Sequence, residues 1–350
     1  MNEARIEPLP IERFDYDLPS ELIAQEAVEP RDSARLLVVR RSSGAIEDRI
    51  FRELPDLIAP GDLLVVNDTR VLPARLFAKR TTGGRVELLL LTRHGDGVWQ
   101  AIARPLRKIG PTEELELLDH DDSPTGVCVR IEERLPDGVM VRFDDDSVID
   151  RFGQVPLPPY IRERLADPER YQTVYARDGG SAAAPTAGLH FTPELLNRCS
   201  EAGIGVATVT LHVGLDTFQP IKVTDARDHV IHSEWFSLPE QTARRIRETR
   251  ERGSRVVAVG TTSVRTLESA AARRRGGDIV ATAGQTRLYI TPGYRFQLVD
   301  AMITNFHLPR TSLLLLVSAF AGEDIVRLAY AHAIEQRYRF YSFGDACLFL

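Results

Sequence analysis

The sequence predicts an α/β protein: a discontinuous layered α/β domain formed by residues 1–72 and 151–350, with a small β-barrel domain inserted at 73–150. Three observations carry this. Helix and strand patterns alternate from about residue 190 to the C-terminus, which indicates α/β layers. From Val71 to Asp150 the chain shows short strands and turn residues with no convincing helical period, as in a small barrel. Strand patterns also precede that stretch, so the barrel interrupts the α/β part.

In chain order, Ser20–Gln25 reads as a helix, and Arg35–Arg40 and Leu63–Asn67 as strands. In the barrel region the strands are Arg75–Lys79, Arg85–Leu91, Val98–Ala103, Glu114–Leu118, Val127–Glu132 and Val139–Phe143. Gly83-Gly84, Asp96-Gly97 and Asp137-Gly138 supply hairpin turns between them. Its acidic runs, Asp119–Asp122 and Asp144–Asp146, read as solvated turns. Beyond it, Thr192-Pro193-Glu194 opens a helix with a hydroxyl cap, a proline at the first position and an acid in the first turn. Gly203 ends that helix, and Val206–His212 follows as a strand. Helices are expected at Glu240–Arg252, Ser263–Arg273 and Asp324–Gln336, and strands at Arg255–Val259, Gln285–Ile290 and Leu298–Thr304.

Composition bounds the function. The formal net charge is -6 and the pI about 5.8, so no global basic field advertises nucleic acid, although one local basic face would suffice. Lys79, Lys108 and Lys222 are the only lysines, leaving arginine to supply almost all positive charge. The five arginines within Arg244–Arg252 read as a solvated helix face broken by Glu248 and Glu251. Cys128, Cys199 and Cys347 are far apart, which argues against a disulfide framework or a cysteine zinc site. The N-terminus lacks the pattern of a signal peptide, and the most apolar run, Leu313–Phe320, is too short to span a bilayer. A cytoplasmic protein is expected, with no membrane partner, and a monomer, because no obvious apolar helix face is left over.

The chemistry gathers at predicted strand ends, where open α/β sheets bind ligands. Pro185–Thr192 places Thr186, Gly188 and His190 just before a helix N-terminus, where backbone N–H groups favour an anion. His212 ends a strand, and His229, His232 and Glu234 follow. These are in principle metal ligands, but the HxxH pair is on no clear helix, so acid–base work or ribose binding is the better reading and no metal is expected. Gly260-Thr261-Thr262-Ser263 follows a strand as a hydroxyl cluster that is neither a Walker loop nor a GxGxxG. Asn67-Asp68-Thr69-Arg70 and Thr304-Asn305-Phe306-His307 end two further strands. Such recurrence favours an enzyme over an interaction module.

The segments NDTRVLPARL, GSAAAPTAGLHFT, HVGLDTFQPI, VIHSEW, VGTTSVRTLES, ITNFHLPRTSLLLLVSAFAG and YRFYSFGDACL, in this order, resemble the S-adenosylmethionine:tRNA ribosyltransferase-isomerases of queuosine biosynthesis, the QueA family. The likeness runs from Phe14 to the C-terminus and includes RDSARLLV at Arg31–Val38 and PLPPYI at Pro156–Ile161. Asp216 departs from it, standing where a small residue is expected, and Ile231 replaces a more usual methionine. The resemblance implies an α/β domain with an inserted barrel. It also implies transfer and isomerisation of the ribosyl part of S-adenosylmethionine onto 7-aminomethyl-7-deazaguanine (preQ1) at the wobble position of tRNA, giving epoxyqueuosine-tRNA, adenine and methionine. S-adenosylmethionine is then a co-substrate, no prosthetic group is needed, and the partner is tRNA carrying preQ1 in the anticodon. The absence of a CxxxCxxC cluster argues against radical chemistry, and the absence of a glycine-rich fingerprint against a Rossmann methyltransferase.

For that reaction His190, His212 and His232 are the acid–base candidates, with Glu234 as base or orienter. Thr186, Gly188, Thr261 and Thr262 are candidates for the methionine carboxylate or ribose. Arg31, Arg70 and Arg265 are candidates for the carboxylate or an RNA phosphate. Asn67, Asp68 and Asn305, with His307 beside it, are candidates for the modified base or ribose hydroxyls. Two readings compete: a non-catalytic RNA-binding protein, and a different S-adenosylmethionine-dependent transferase.

Overall fold

The central strands of the protein are continuous apolar runs, which is what strands covered on both faces require. The computed structural model describes residues 8–158, 160–161, 167–214, 220–274 and 277–350. Its strands are β1 (Arg35–Arg40), β2 (Ala45–Ile50), β3 (Leu63–Asn67), β4 (Thr69–Val71), β5 (Arg75–Arg80), β6 (Arg85–Gly95), β7 (Val98–Arg104), β8 (Glu114–Leu118), β9 (Pro124–Leu135), β10 (Gly138–Arg142), β11 (Asp178–Ser181), β12 (Gly205–Leu211), β13 (Glu234–Leu238), β14 (Val256–Val259), β15 (Thr282–Thr286), β16 (Ala301–Asn305) and β17 (Ala346–Phe349). Its helices are α1 (Leu54–Leu57), α2 (Ser147–Phe152), α3 (Pro193–Glu201), α4 (Glu240–Glu251), α5 (Gly260–Ala271), α6 (Ser312–Ala321) and α7 (Glu323–Glu335).

Nine strands form one sheet in the order β15-β13-β12-β3-β14-β16-β17-β1-β2. Strands β12, β3, β14 and β16 run parallel, so their carboxyl ends lie along one edge. The antiparallel neighbours β13 and β17 begin at that same edge. Alternation along β3 sends Leu63 and Val65 to the face covered by α4–α7, and Leu64 and Val66 to the face covered by α1 and α3. Six strands, β10-β7-β6-β5-β8-β9, close into an antiparallel barrel with its own apolar interior, including Leu76, Leu88, Leu115, Ile131 and Val141. The chain leaves the sheet through β4 and returns through β11, and these two pair in parallel, Thr69 opposite Asp178.

The α/β layers and small barrel therefore match the fold class that the sequence predicts. The helix opened by Thr192 starts as expected, its hydroxyl accepting from Leu195 N at 3.1 Å. Four details differ. Ser20–Gln25 is only a 3₁₀ turn, Ser20–Leu22. Helix α5 begins three residues before the predicted Ser263, so the hydroxyl cluster is its first turn. The predicted strand Gln285–Ile290 lies earlier, at Thr282–Thr286. Helix α6 is buried over most of its surface, so it carries no amphipathic period to read.

Candidate active site

The carboxyl edge of the sheet is built by side chains that finish the strand pairing and then turn to chemistry. Strands β3 and β12 pair as far as Asn67 and Val209. One step on, the Asn67 amide takes over the pairing: Oδ1 accepts from Leu211 N and Nδ2 donates to Leu211 O, each at 3.0 Å. Asp68 is buried beside it and accepts from the Thr210 hydroxyl and from Arg177 Nε, both at 2.7 Å. These groups hold the end of β12 still, and His212 follows immediately.

The His212 ring is stacked on Trp235, with 5.1 Å between centroids and 19° between planes. Its Nδ1 is 2.8 Å from Thr69 Oγ1, and that hydroxyl donates to Asp178 O at 3.4 Å. The Thr69 hydroxyl can accept from Nδ1 or donate to it, so this contact orients the ring without fixing its tautomer. Nε2 lies 3.9 Å from Asp178 Oδ1. Burial pushes the imidazole pKa below its ordinary 6.5, against smaller upward pulls from Asp178 and Asp68. Glycine at 180, at φ +149°, makes room for the ring: a Cβ there would stand 2.7 Å from Nε2.

His212 lines a cleft of about 630 Å³ between the sheet edge and the barrel. Gly214, His232, Glu234, Trp235 and Gln285 share its sheet side, and Arg93, Trp99, Asp146 and Asp150 its barrel side. Glu234 is buried at the start of β13; Oε1 accepts from Gly214 N at 2.9 Å and Oε2 pairs with Arg265 Nη1. His232 is exposed on the rim, and beside it burial lowers the pKa of His229.

A second group surrounds a smaller cavity of about 40 Å³, which adjoins the cleft through Val213. Thr186, Thr261, Thr262, Asn305 and His307 all line it. Thr186 donates to Asn305 Oδ1 at 3.1 Å, Asn305 donates to Tyr341 O at 3.0 Å, and His307 Nε2 is 2.8 Å from Thr304 Oγ1. Burial drives the His307 pKa down to about 3, so this ring is neutral.

Seven candidate residues line neither cavity: Arg265, which pairs with Glu234, and six others. His190 is 4% exposed and stacked on Phe51; Nδ1 lies 3.1 Å from Ala187 O and Nε2 2.9 Å from Gly344 O. Both ring nitrogens thus face backbone carbonyls, the neutral ring donating to one of them, and His190 lines neither cavity, which argues against its expected acid–base role. Gly188 makes room for Tyr175, whose hydroxyl would stand 2.1 Å from a Cβ, and not for a ligand. Arg31 donates to Gln172 O at 2.6 Å and Glu169 O at 2.9 Å, while Arg70 pairs at the surface with the Glu169 carboxylate. Asn67 and Asp68 are the saturated strand-end groups described above, leaving none of their hydrogen-bonding oxygens idle for a base. Asp216 lies outside the described residues. Among the described residues no cluster of three or more His, Cys, Asp or Glu side chains is arranged to hold a metal ion.

Sequence reasoning missed Thr69, Asp178 and Trp235, which frame His212. Trp235 stood in plain view in VIHSEW, but strand β13 gave no signal beside the histidines. The barrel groups Arg93, Trp99 and Asp146 had no signal at all, because only docking of barrel on sheet brings them to the cleft.

A stacked imidazole at the carboxyl ends of parallel strands, facing a large cleft, is an arrangement suited to an enzyme. The family model described as "Queuosine biosynthesis protein" matches residues 11–349. The S-adenosylmethionine:tRNA ribosyltransferase-isomerase of Thermotoga maritima is 50% identical, covering 97% of this chain and 99% of its own. The corresponding protein of Symbiobacterium thermophilum is 52% identical, covering 96% and 98%. A crystal structure of an S-adenosylmethionine tRNA ribosyltransferase from Thermotoga maritima matches with a TM-score of 0.56 and 42% identity, over 97% of this chain and all of that one. The chain belongs to the S-adenosylmethionine:tRNA ribosyltransferase-isomerase family of queuosine biosynthesis, and it is a transferase.

Proposed function

We propose that this enzyme transfers and isomerises the ribosyl moiety of S-adenosylmethionine onto preQ1 at the wobble position of tRNA, yielding epoxyqueuosine-tRNA, adenine and methionine. The observation that carries the reading is the His212 imidazole, stacked on Trp235 and held by Thr69 beside a cleft large enough for a nucleoside and a flipped base; it acts as base in its Nδ1–H form. The sulfonium acidifies the adjacent ribose carbon, and Nε2 takes its proton. The imidazolium so formed returns a proton to a ring nitrogen of adenine, which leaves neutral. The primary amine of preQ1 is the nucleophile and loses a proton as its new C–N bond forms, so no activated serine or cysteine is needed; the C–S bond breaks as a ribose oxygen closes the epoxide, and methionine departs without acid help. Trp235 supports the ring that moves the proton; His232 on the rim is the second acid–base group.

The hydroxyls of Thr186, Thr261 and Thr262, with Asn305 and the neutral His307, form the wall for ribose or base hydroxyls. The single-stranded anticodon loop delivers its base without melting a duplex. The domain division remains that of the sequence, 1–72 with 151–350 around a barrel at 73–150, and exposed Arg104, Arg107 and Lys108 on the barrel are the tRNA contacts. The enzyme works as a cytoplasmic monomer without a prosthetic group or metal. Among the described residues no helix is long and apolar enough to cross a membrane.

One assay separates the readings. The enzyme is incubated with S-adenosylmethionine and tRNA carrying preQ1, and adenine and the modified nucleoside are followed by mass. Release of both adenine and methionine with formation of epoxyqueuosine is expected. Binding of tRNA without adenine release would make the protein a non-catalytic RNA binder, and any other product a different transferase.

A further inference from the structure

Beside the main cleft lies a smaller cavity of about 30 Å³ that shares Gly214, His232 and Glu234 with it. Its other walls mix apolar side chains, including Leu288, Leu313 and Leu316, with the polar His229, Tyr289 and Ser312, and Arg265 lines it too. Arg265 is 4% exposed. It donates through Nε to Leu288 O at 3.1 Å and pairs through Nη1 with Glu234, yet Nη2 is buried with no hydrogen-bond partner among the described residues. Burial lowers even this guanidinium to a pKa of about 10, which leaves it charged at neutral pH. A buried N–H of a charged group left unmatched costs stability, and it is a group to which a ligand gives back the missing bond. A cavity of this size admits a carboxylate and little more. The fork of Arg265 suits a carboxylate, and the Glu234 carboxylate beside it complements an ammonium.

We propose that this cavity is the subsite for the α-amino-acid head of S-adenosylmethionine, with Arg265 Nη2 donating to the methionine carboxylate. The inference rests on the function proposed above and assigns to Arg265 one of the two anions open to it, against an RNA phosphate. It places the sulfonium and ribose in the adjoining cleft, where His212 stands.

The test compares S-adenosylmethionine with its decarboxylated analogue by kcat/KM for adenine release, with precursor tRNA saturating. The inhibition constant of 5′-methylthioadenosine, which lacks the amino-acid tail, is measured alongside. The wild type should favour the carboxylated substrate by roughly ten- to a hundredfold, the span of a hydrogen bond to a charged group. The double variant E234Q/R265Q, which leaves no charge buried alone, should reduce that preference to about threefold or less. Leu316→Phe fills the cavity without touching the pair, and should weaken S-adenosylmethionine but not 5′-methylthioadenosine. Equal use of both substrates by the wild type overturns the proposal, as does a preference that survives in the double variant. If the double variant does not fold, Leu316→Phe decides: an unchanged kcat/KM for S-adenosylmethionine overturns it. Absence of any adenine release in the wild type defeats the functional reading instead.

Discussion

The His212 imidazole lies flat on the Trp235 indole while its Nδ1 is held 2.8 Å from Thr69 Oγ1, so the ring is held at both its face and its edge. Replacement by asparagine keeps a polar group of similar reach but no titratable nitrogen. His212→Asn should lower kcat at least about a hundredfold, the usual worth of a general base, with the near-UV circular dichroism unchanged. Turnover within about threefold of wild type would remove His212 from the chemistry.

The pH profile follows from the same ring. The base acts when neutral, and burial holds its pKa below 6.5. Activity should therefore persist at pH 6.5 and fall on an acid limb below it. An acid limb in kcat/KM centred above pH 7 would contradict this assignment.

His190 has a different fate. With both ring nitrogens on backbone carbonyls and Phe51 against its face, it ties the Thr186–His190 turn to Gly344. His190→Ala should cost stability on the order of 2 kcal/mol and leave kcat of the folded fraction within about threefold. Urea unfolding and active-site titration check this together; a hundredfold fall in kcat at unchanged stability would restore His190 to catalysis.

Acid should destabilise the protein through its buried histidines. His190 and His307 have pKa values pushed down by burial, His307 to about 3, so the unfolded chain binds protons that the folded chain refuses. Their contribution is complete above about pH 6.5 and is lost as the pH falls from there towards 3. Urea midpoints measured from pH 7 to 4 should decline, and less steeply in His307→Gln. Parallel slopes in the two proteins would show that His307 is not responsible.

Gly188 is a packing position. A methyl group there meets the Tyr175 hydroxyl at 2.1 Å and Thr173 Cγ2 at 2.9 Å. Gly188→Ala should destabilise by about 1–3 kcal/mol, the usual penalty for overpacking. Adding Tyr175→Phe removes the nearest atom and should recover part of the loss. Non-interacting effects in the double-mutant cycle would mean the strain is elsewhere.

The barrel was legible because its information is local: Gly83-Gly84, Asp96-Gly97 and Asp137-Gly138 are turns whatever surrounds them. The carboxyl-edge residues were legible as a set, since His212, Asn305 and Thr261 each follow an apolar strand. What each of them does was not. Asn67 and His190 carry the same functional groups as catalytic residues, and only their partners, a strand end and backbone carbonyls, set them apart from the cleft residues. Arg265 shows the reverse: the sequence offers it beside Arg31 and Arg70 as an anion ligand, and only burial, which leaves one of its N–H groups unmatched, separates it from them. Helix α6 escaped because a helix wrapped by protein has no polar side to betray its period.

The ribbon of β4 and β11 flanks the barrel in the chain, and it also carries Thr69 and Asp178, the two residues beside the His212 ring. A substitution that loosens this pairing therefore reaches the imidazole before it disturbs the nine-stranded sheet.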